Sequence, residues 1–217
     1  MPSSTRVYNH ITLCLISIGL ITLFYTQIDE ERERFLWSMS TAYVALILLG
    51  VSAIIGPIKL LINNKSLPIS IYLRRDIGIW AGIIALLHVF FGLQGHVGGK
   101  FWYYFIAPPE AKYSFPLRID AFGLTSYLGL GATLIIIMLL YLSRDKAIKK
   151  FGVRKWKKLQ RFSYIAICMT LLHNLILLII ANRNLGFIAI FSAVSLLIIV
   201  FQYLGYKKVL QKNASKL

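Results

Sequence analysis

Six long apolar stretches, at about residues 8–28, 36–62, 77–96, 121–142, 162–182 and 185–206, leave almost no chain over for anything else. Crossing a hydrocarbon core takes about 20 apolar residues in a helix, so each stretch is long enough to span a membrane. With 58% of residues apolar and 15% charged, a water-soluble domain is excluded. The expected fold is all-α: an integral membrane six-helix bundle forming a single transmembrane domain over 1–217, with no soluble domain. The longest extramembrane segment, 97–120, is too short to hold a nucleotide-binding or catalytic unit. The first stretch continues apolar past Phe24 without a small-residue cleavage site, so it is expected to remain as an uncleaved span.

The net charge of +16 invites a nucleic-acid reading, and charge placement removes it. If the N-terminus is inside, the inner segments carry 18 basic residues against two acidic ones, Asp76 and Asp145. Nine of the basic residues crowd into Arg144–Arg161, which reads as a basic loop. The outer segments balance at six against six. Basic flanks stay cytoplasmic, so both termini are expected inside, in a cytoplasmic (inner) membrane, with the basic cluster facing anionic lipid rather than nucleic acid. Cys14 and Cys168 lie in different spans without a CxxC partner, which argues against thiol-disulfide chemistry.

Gly56-Pro57 is expected to kink or end the second span. Gly123, Gly129 and Gly131 should let the fourth span pack closely on a neighbour. The aromatic block Phe101-Trp102-Tyr103-Tyr104-Phe105 is expected at the lipid headgroups as an interfacial belt, with a lid over an outer-facing site as the alternative.

Ionisable residues inside a span are costly and usually face a partner or cofactor, which singles out His88 and His173. Both spans run inside to outside. His88 lies 13 residues beyond Arg75 and His173 lies 12 beyond Arg161. At about 1.5 Å per residue, both imidazoles stand roughly 18–20 Å above the inner basic shell, level with each other. Two imidazoles at one depth suit bis-histidine haem ligation, and they suit separate hydrogen bonds to neighbouring helices equally well. Ala81, Ala85 and Gly92 near the His88 face, and Ala166 and Thr170 near that of His173, would leave room for a flat ring. Zinc lacks a third and fourth ligand. His96, at the outer end of the third span, is a secondary candidate for an outer-site proton or metal contact, against an ordinary interfacial role, and His10 carries no expectation. No Ser/His/Asp set, Gly-rich phosphate loop or paired intramembrane carboxylate is present, so no catalytic residue is assigned.

Two motifs carry a resemblance. One is Arg74-Arg75-x-x-Gly78-x-Trp80 followed by His88 in Leu-Leu-His. The other is Trp156-Lys157-x-Leu159-Gln160-Arg161-x-x-Tyr164 followed by His173 in Leu-Leu-His. Over about 36–182 the chain resembles the ferric reductase-like transmembrane domain family, which includes the membrane haem subunit of bacterial methionine-sulfoxide reductase systems, the membrane half of NADPH oxidases and six-span metalloreductases. The resemblance implies b-type haem ligated by His88 and His173. Relatives often have a histidine where Gln160 stands, and two-haem members have another near Arg75. The departure implies one haem, in the outer half.

A single outer haem leaves roughly 18–20 Å to the inner surface by the same helical rise. A flavin mononucleotide or quinone near Arg74, Arg75, Trp156, Gln160 and Arg161 would bridge it, with guanidiniums for a phosphate or quinone oxygen and an indole for stacking. The competing reading makes these residues interfacial anchors. The chain thus reads as an oxidoreductase component that requires partners: a cytoplasmic reductase or quinol as donor, and ferric iron or a periplasmic protein as outer acceptor. The alternative from a different class is a haem-free six-span scaffold or transport accessory.

Overall fold

The computed structural model describes residues 3–28, 32–62, 71–95, 97, 99–109, 116–181 and 185–214. Among these the regular elements are helical: α1 (Ser3–Gln27), α2 (Glu33–Ile62), α3 (Ile71–Gly95), α4 (Ala121–Leu142), α5 (Asp145–Gln160), α6 (Phe162–Ile180) and α7 (Leu185–Ala214), with a single 3-10 turn at Phe101–Tyr104. Six helices are long and apolar enough to cross a membrane, α5 and α6 counting together as one, which makes the chain a multi-pass membrane protein. Large apolar side chains cover the outside, as for Ile179 and Ile199, because lipid imposes no penalty on them.

Two groups of helices form the bundle. In the first, α1, α2, α3 and α7 share a core that includes Phe24, Tyr43, Val44, Ile84 and Phe187, with the Tyr43 and Phe187 rings 4.7 Å apart. In the second, α4 packs along α6, with the Met169 side chain of α6 lying over Gly131 of α4. Small apolar clusters tie α6 back to α2 and α7, through Leu46, Leu178 and Phe191 and through Ala53, Ile167 and Ile198. Hydroxyls within the helices bond the carbonyl one turn back, as Ser17 to Leu13 at 2.7 Å and Thr41 to Trp37 at 2.6 Å, which spares them a partner in lipid.

The Gly56-Pro57 pair does not end α2; the helix continues to Ile62 with Pro57 inside it. Proline removes the N–H that the Ala53 carbonyl would have accepted, and the Gln202 amide of α7 donates to that oxygen at 2.9 Å instead. Arg74 Nε donates to the neighbouring Ser52 carbonyl at 3.1 Å. A neighbouring helix satisfies the freed group, which is what allows a proline deep in a span.

One segment departs from expectation, and the aromatic block gains detail. The basic stretch read as a loop is the helix α5, broken only at Gly152 (φ +72°), where a residue without Cβ is required. Its lysines and arginines are good helix formers, and Ala147, Ile148 and Trp156 turn toward the bundle. Arg161 keeps helical angles (φ −67°, ψ −19°), so α5 runs on into α6 with little interruption. The aromatic block also reaches the central cavity. Half-buried Tyr104 and Phe105 line the central cavity, with Phe101 at its rim, and Phe101 and Trp102 are both exposed. The segment is fastened by a Tyr104 hydroxyl bond to the Gly92 carbonyl, by Arg118 to the Tyr103 carbonyl at 2.9 Å, and by Tyr127 to the Phe105 carbonyl at 2.9 Å.

Candidate functional site

Between the two helix groups lies a cavity of 820 Å³, within the range of about 300–1,000 Å³ typical of cofactor and ligand pockets. Its lining runs from Phe101, Tyr104, Phe105 and Phe122 at an aromatic end to Arg74, Arg75, Gln160 and Arg161 at a basic end. His88 of α3 and His173 of α6 both line it. Their ring centres are 6.4 Å apart, with the ring planes at 70°.

The two imidazoles have matching surroundings. His88 Nδ1 lies 2.9 Å from the Ser38 carbonyl and 3.2 Å from the Ser38 hydroxyl. His173 Nδ1 lies 2.8 Å from the Thr125 carbonyl and 2.9 Å from the Thr125 hydroxyl. A carbonyl only accepts, so each Nδ1 carries the proton and each Nε2 carries the lone pair. That arrangement, in which an outer carbonyl fixes the tautomer and ring orientation, is typical of metal-ligating histidines. Ser38 and Thr125 are themselves buried, at 2% exposure each, so the two carbonyls are held in place.

The fit to a haem can be tested on distances. One iron bonded at about 2 Å to an imidazole nitrogen on each side places the ring centres roughly 6 Å apart. The observed 6.4 Å agrees. Small residues keep the intervening space open: Ala81, Ala85, Gly92, Ala166 and Thr170, the five expected to flank the histidines, all line the cavity. A Cβ at Gly129 would stand 3.0 Å from His173 Cε1, and one at Gly92 would stand 3.2 Å from the Ser38 hydroxyl. Neither position admits a side chain without moving a histidine or its partner. Among the described residues no cluster of three or more His, Cys, Asp and Glu gathers to hold a bare metal ion.

All five basic-end residues named from sequence, Arg74, Arg75, Trp156, Gln160 and Arg161, line the same cavity. Trp156 is tied by its indole N–H to the Leu142 carbonyl at 2.8 Å. Buried nitrogens there lack a hydrogen-bond partner: Arg75 Nε and Gln160 Nε2. Leaving a donor buried and unmade costs about 1–3 kcal/mol, so these two nitrogens are ready to donate to a water or a ligand acceptor in that space. His96 lies outside the described residues.

A polar cluster joining α1 to α3 is the part that sequence reasoning missed. Asp76 is fully buried, and it meets Arg6 at 3.2 Å, Asn9 at 3.2 Å and His10 at 3.6 Å. Trp80 donates to His10 Nδ1 at 3.2 Å, which leaves the imidazole proton on Nε2, facing Asp76. Arg6 and Arg75 both reach Asp145, at 3.4 and 2.7 Å, so the cluster also anchors Arg75 at the cavity's basic end. No protein-family model matches the sequence, and no curated protein matches it.

Proposed function

We propose that this chain is a transmembrane electron carrier that holds one b-type haem between His88 and His173 and passes electrons from an inner-side donor to an outer-side acceptor. One observation carries the reading: two imidazoles 6.4 Å apart, each with Nδ1 against a buried backbone carbonyl, across a cavity kept open by small residues. The resemblance to the ferric reductase-like family points the same way. When bound, haem supplies a reversible one-electron site.

The protein's own residues do the rest. Ser38 and Thr125 fix the tautomer and orientation of the two imidazoles through the Nδ1 bonds. Tyr104, Phe105 and Phe122 cover the aromatic end and limit water there. The basic end faces the cytoplasm of a cytoplasmic (inner) membrane, with both termini on that side, because basic residues flanking spans are retained there. The orphaned donors Arg75 Nε and Gln160 Nε2 favour an acceptor-rich planar group, a flavin or a quinone, over the reading in which the basic end only anchors helices. Such a group would shorten the roughly 18–20 Å between the histidines and the inner surface. The outer acceptor is ferric iron or a periplasmic protein.

Proteoliposomes loaded with ferricyanide and given dithionite outside test transfer across the bilayer. Purified haem-loaded protein is expected to bleach the trapped ferricyanide, while protein-free vesicles and vesicles with His173→Ala do not. Equal bleaching in all three would defeat the carrier, and a colourless folded protein would favour a haem-free scaffold.

A further inference from the structure

We propose that α5 is the docking surface for an acidic, water-soluble electron-donor protein that delivers its redox group to the adjoining end of the cavity. The proposal rests on the reading above that electrons come in at this end. All nine basic side chains from Arg144 to Arg161 are exposed, and the one acid among them, Asp145, is engaged by Arg75 and Arg6. The charge presented is therefore almost purely cationic.

It is also contiguous with the cavity. A second, shallow concavity of 710 Å³ is lined by Phe151, Gly152, Arg154, Lys155 and Lys158, and Val153, Lys157 and Arg161 line both this hollow and the central cavity. A protein seated on α5 thus has its contact face at the point where Trp156 and Gln160 begin the cavity lining. The break at Gly152 (φ +72°) shapes the hollow by interrupting the helix in its middle.

Anionic lipid is the other polyanion within reach, and the apolar positions argue against it as the main occupant. Helices that lie in a headgroup layer insert an apolar face and flank it with basic residues. Here Ala147 is buried in the bundle at 4% exposure and Ile148 and Trp156 face the cavity, which uses part of that face, and the apolar remainder includes Val153, 56% exposed, and Phe151 at the hollow. What remains is a small apolar patch ringed by nine cations, and such a charge density steers a soluble partner of opposite charge and raises its association rate by about 10–1,000-fold.

The test uses the full protein in nanodiscs of zwitterionic phosphatidylcholine, with an acidic flavodoxin as probe and a basic cytochrome c as counter-probe. Association is read by biolayer interferometry and haem separately by absorbance. Flavodoxin is expected to bind with a rate that falls steeply between low and high salt, and cytochrome c is expected not to bind. Lys149→Glu/Lys150→Glu/Arg154→Glu/Lys155→Glu should slow flavodoxin association at least about tenfold. The corresponding glutamine variant, which spares the fold from like-charge contacts, should give an intermediate loss. Unchanged association in both variants overturns the proposal. So does a flavodoxin signal that appears only after phosphatidylglycerol is added, since lipid is then the occupant. Because binding is read without haem, a colourless protein that still binds flavodoxin through α5 sinks the carrier reading and keeps the docking surface, and a haem protein with variant-insensitive binding does the reverse.

Discussion

His88→Ala and His173→Ala are each expected to abolish the reducible Soret band of the purified protein while leaving a folded, helical chain. The two rings are 6.4 Å apart on helices from different groups of the bundle, so neither can cover for the other's absence. Outer-partner changes should do less. In Ser38→Ala or Thr125→Val the backbone carbonyl bonded to Nδ1 remains, at 2.9 and 2.8 Å respectively, and only the hydroxyl contact is lost. Removing outer partners of metal ligands costs about 10–100-fold in affinity, and with the carbonyl still present the loss should fall near the lower figure. Haem titration of the four variants gives the ranking directly. Gln160→Leu, which removes an orphaned donor at the other end of the cavity, should leave the Soret band intact.

Asp76→Ala is expected to be the most destabilising single change outside the histidine site. The carboxylate is fully buried and holds Arg6, Asn9 and His10 of α1 against α3. Breaking a buried ion pair by removing one partner costs on the order of 3 kcal/mol. For a chain of this size that corresponds to a melting temperature lower by roughly 6–12 °C, read by thermal denaturation in detergent. Asp145→Asn, on an exposed carboxylate, should cost no more than about 1 kcal/mol. The double variant Arg6→Ala/Asp76→Ala should be less damaged than the sum of its single changes, because no unpaired charge is then left behind. An Asp76→Ala protein that melts with the wild type would show that α1 is held by apolar packing alone.

The six spans were legible because lipid demands long apolar runs, and nothing in tertiary structure overrides that demand. The histidine pair was legible through depth, since a helix converts residue count into height, and Ala81, Ala85 and Ala166 followed from helical spacing. Ser38 and Thr125 were not. Hydroxyl residues in spans usually bond their own helix, as Ser40 does to Leu36 at 2.7 Å, and only the packing of α2 on α3 and α4 on α6 selects the two that serve histidines. The α1 cluster left a signal that went unread: Arg6, Asn9 and His10 fall at i, i+3 and i+4, one polar stripe on an apolar helix. Helix α5 was hidden by Gly152, whose break masks the periodicity on either side. Composition places the aromatic segment at an interface without saying which way its rings turn, and the bonds from Tyr104, Tyr127 and Arg118 decide that.

The central claim is one haem between two histidines, and the haem content of purified protein tests it most directly. Pyridine haemochromogen assay against protein concentration, with electron paramagnetic resonance of the oxidised sample, should give one b-type haem per chain with a low-spin bis-imidazole signal. Two haems per chain, a high-spin signal, or a folded protein without haem after haem-sufficient expression would contradict it.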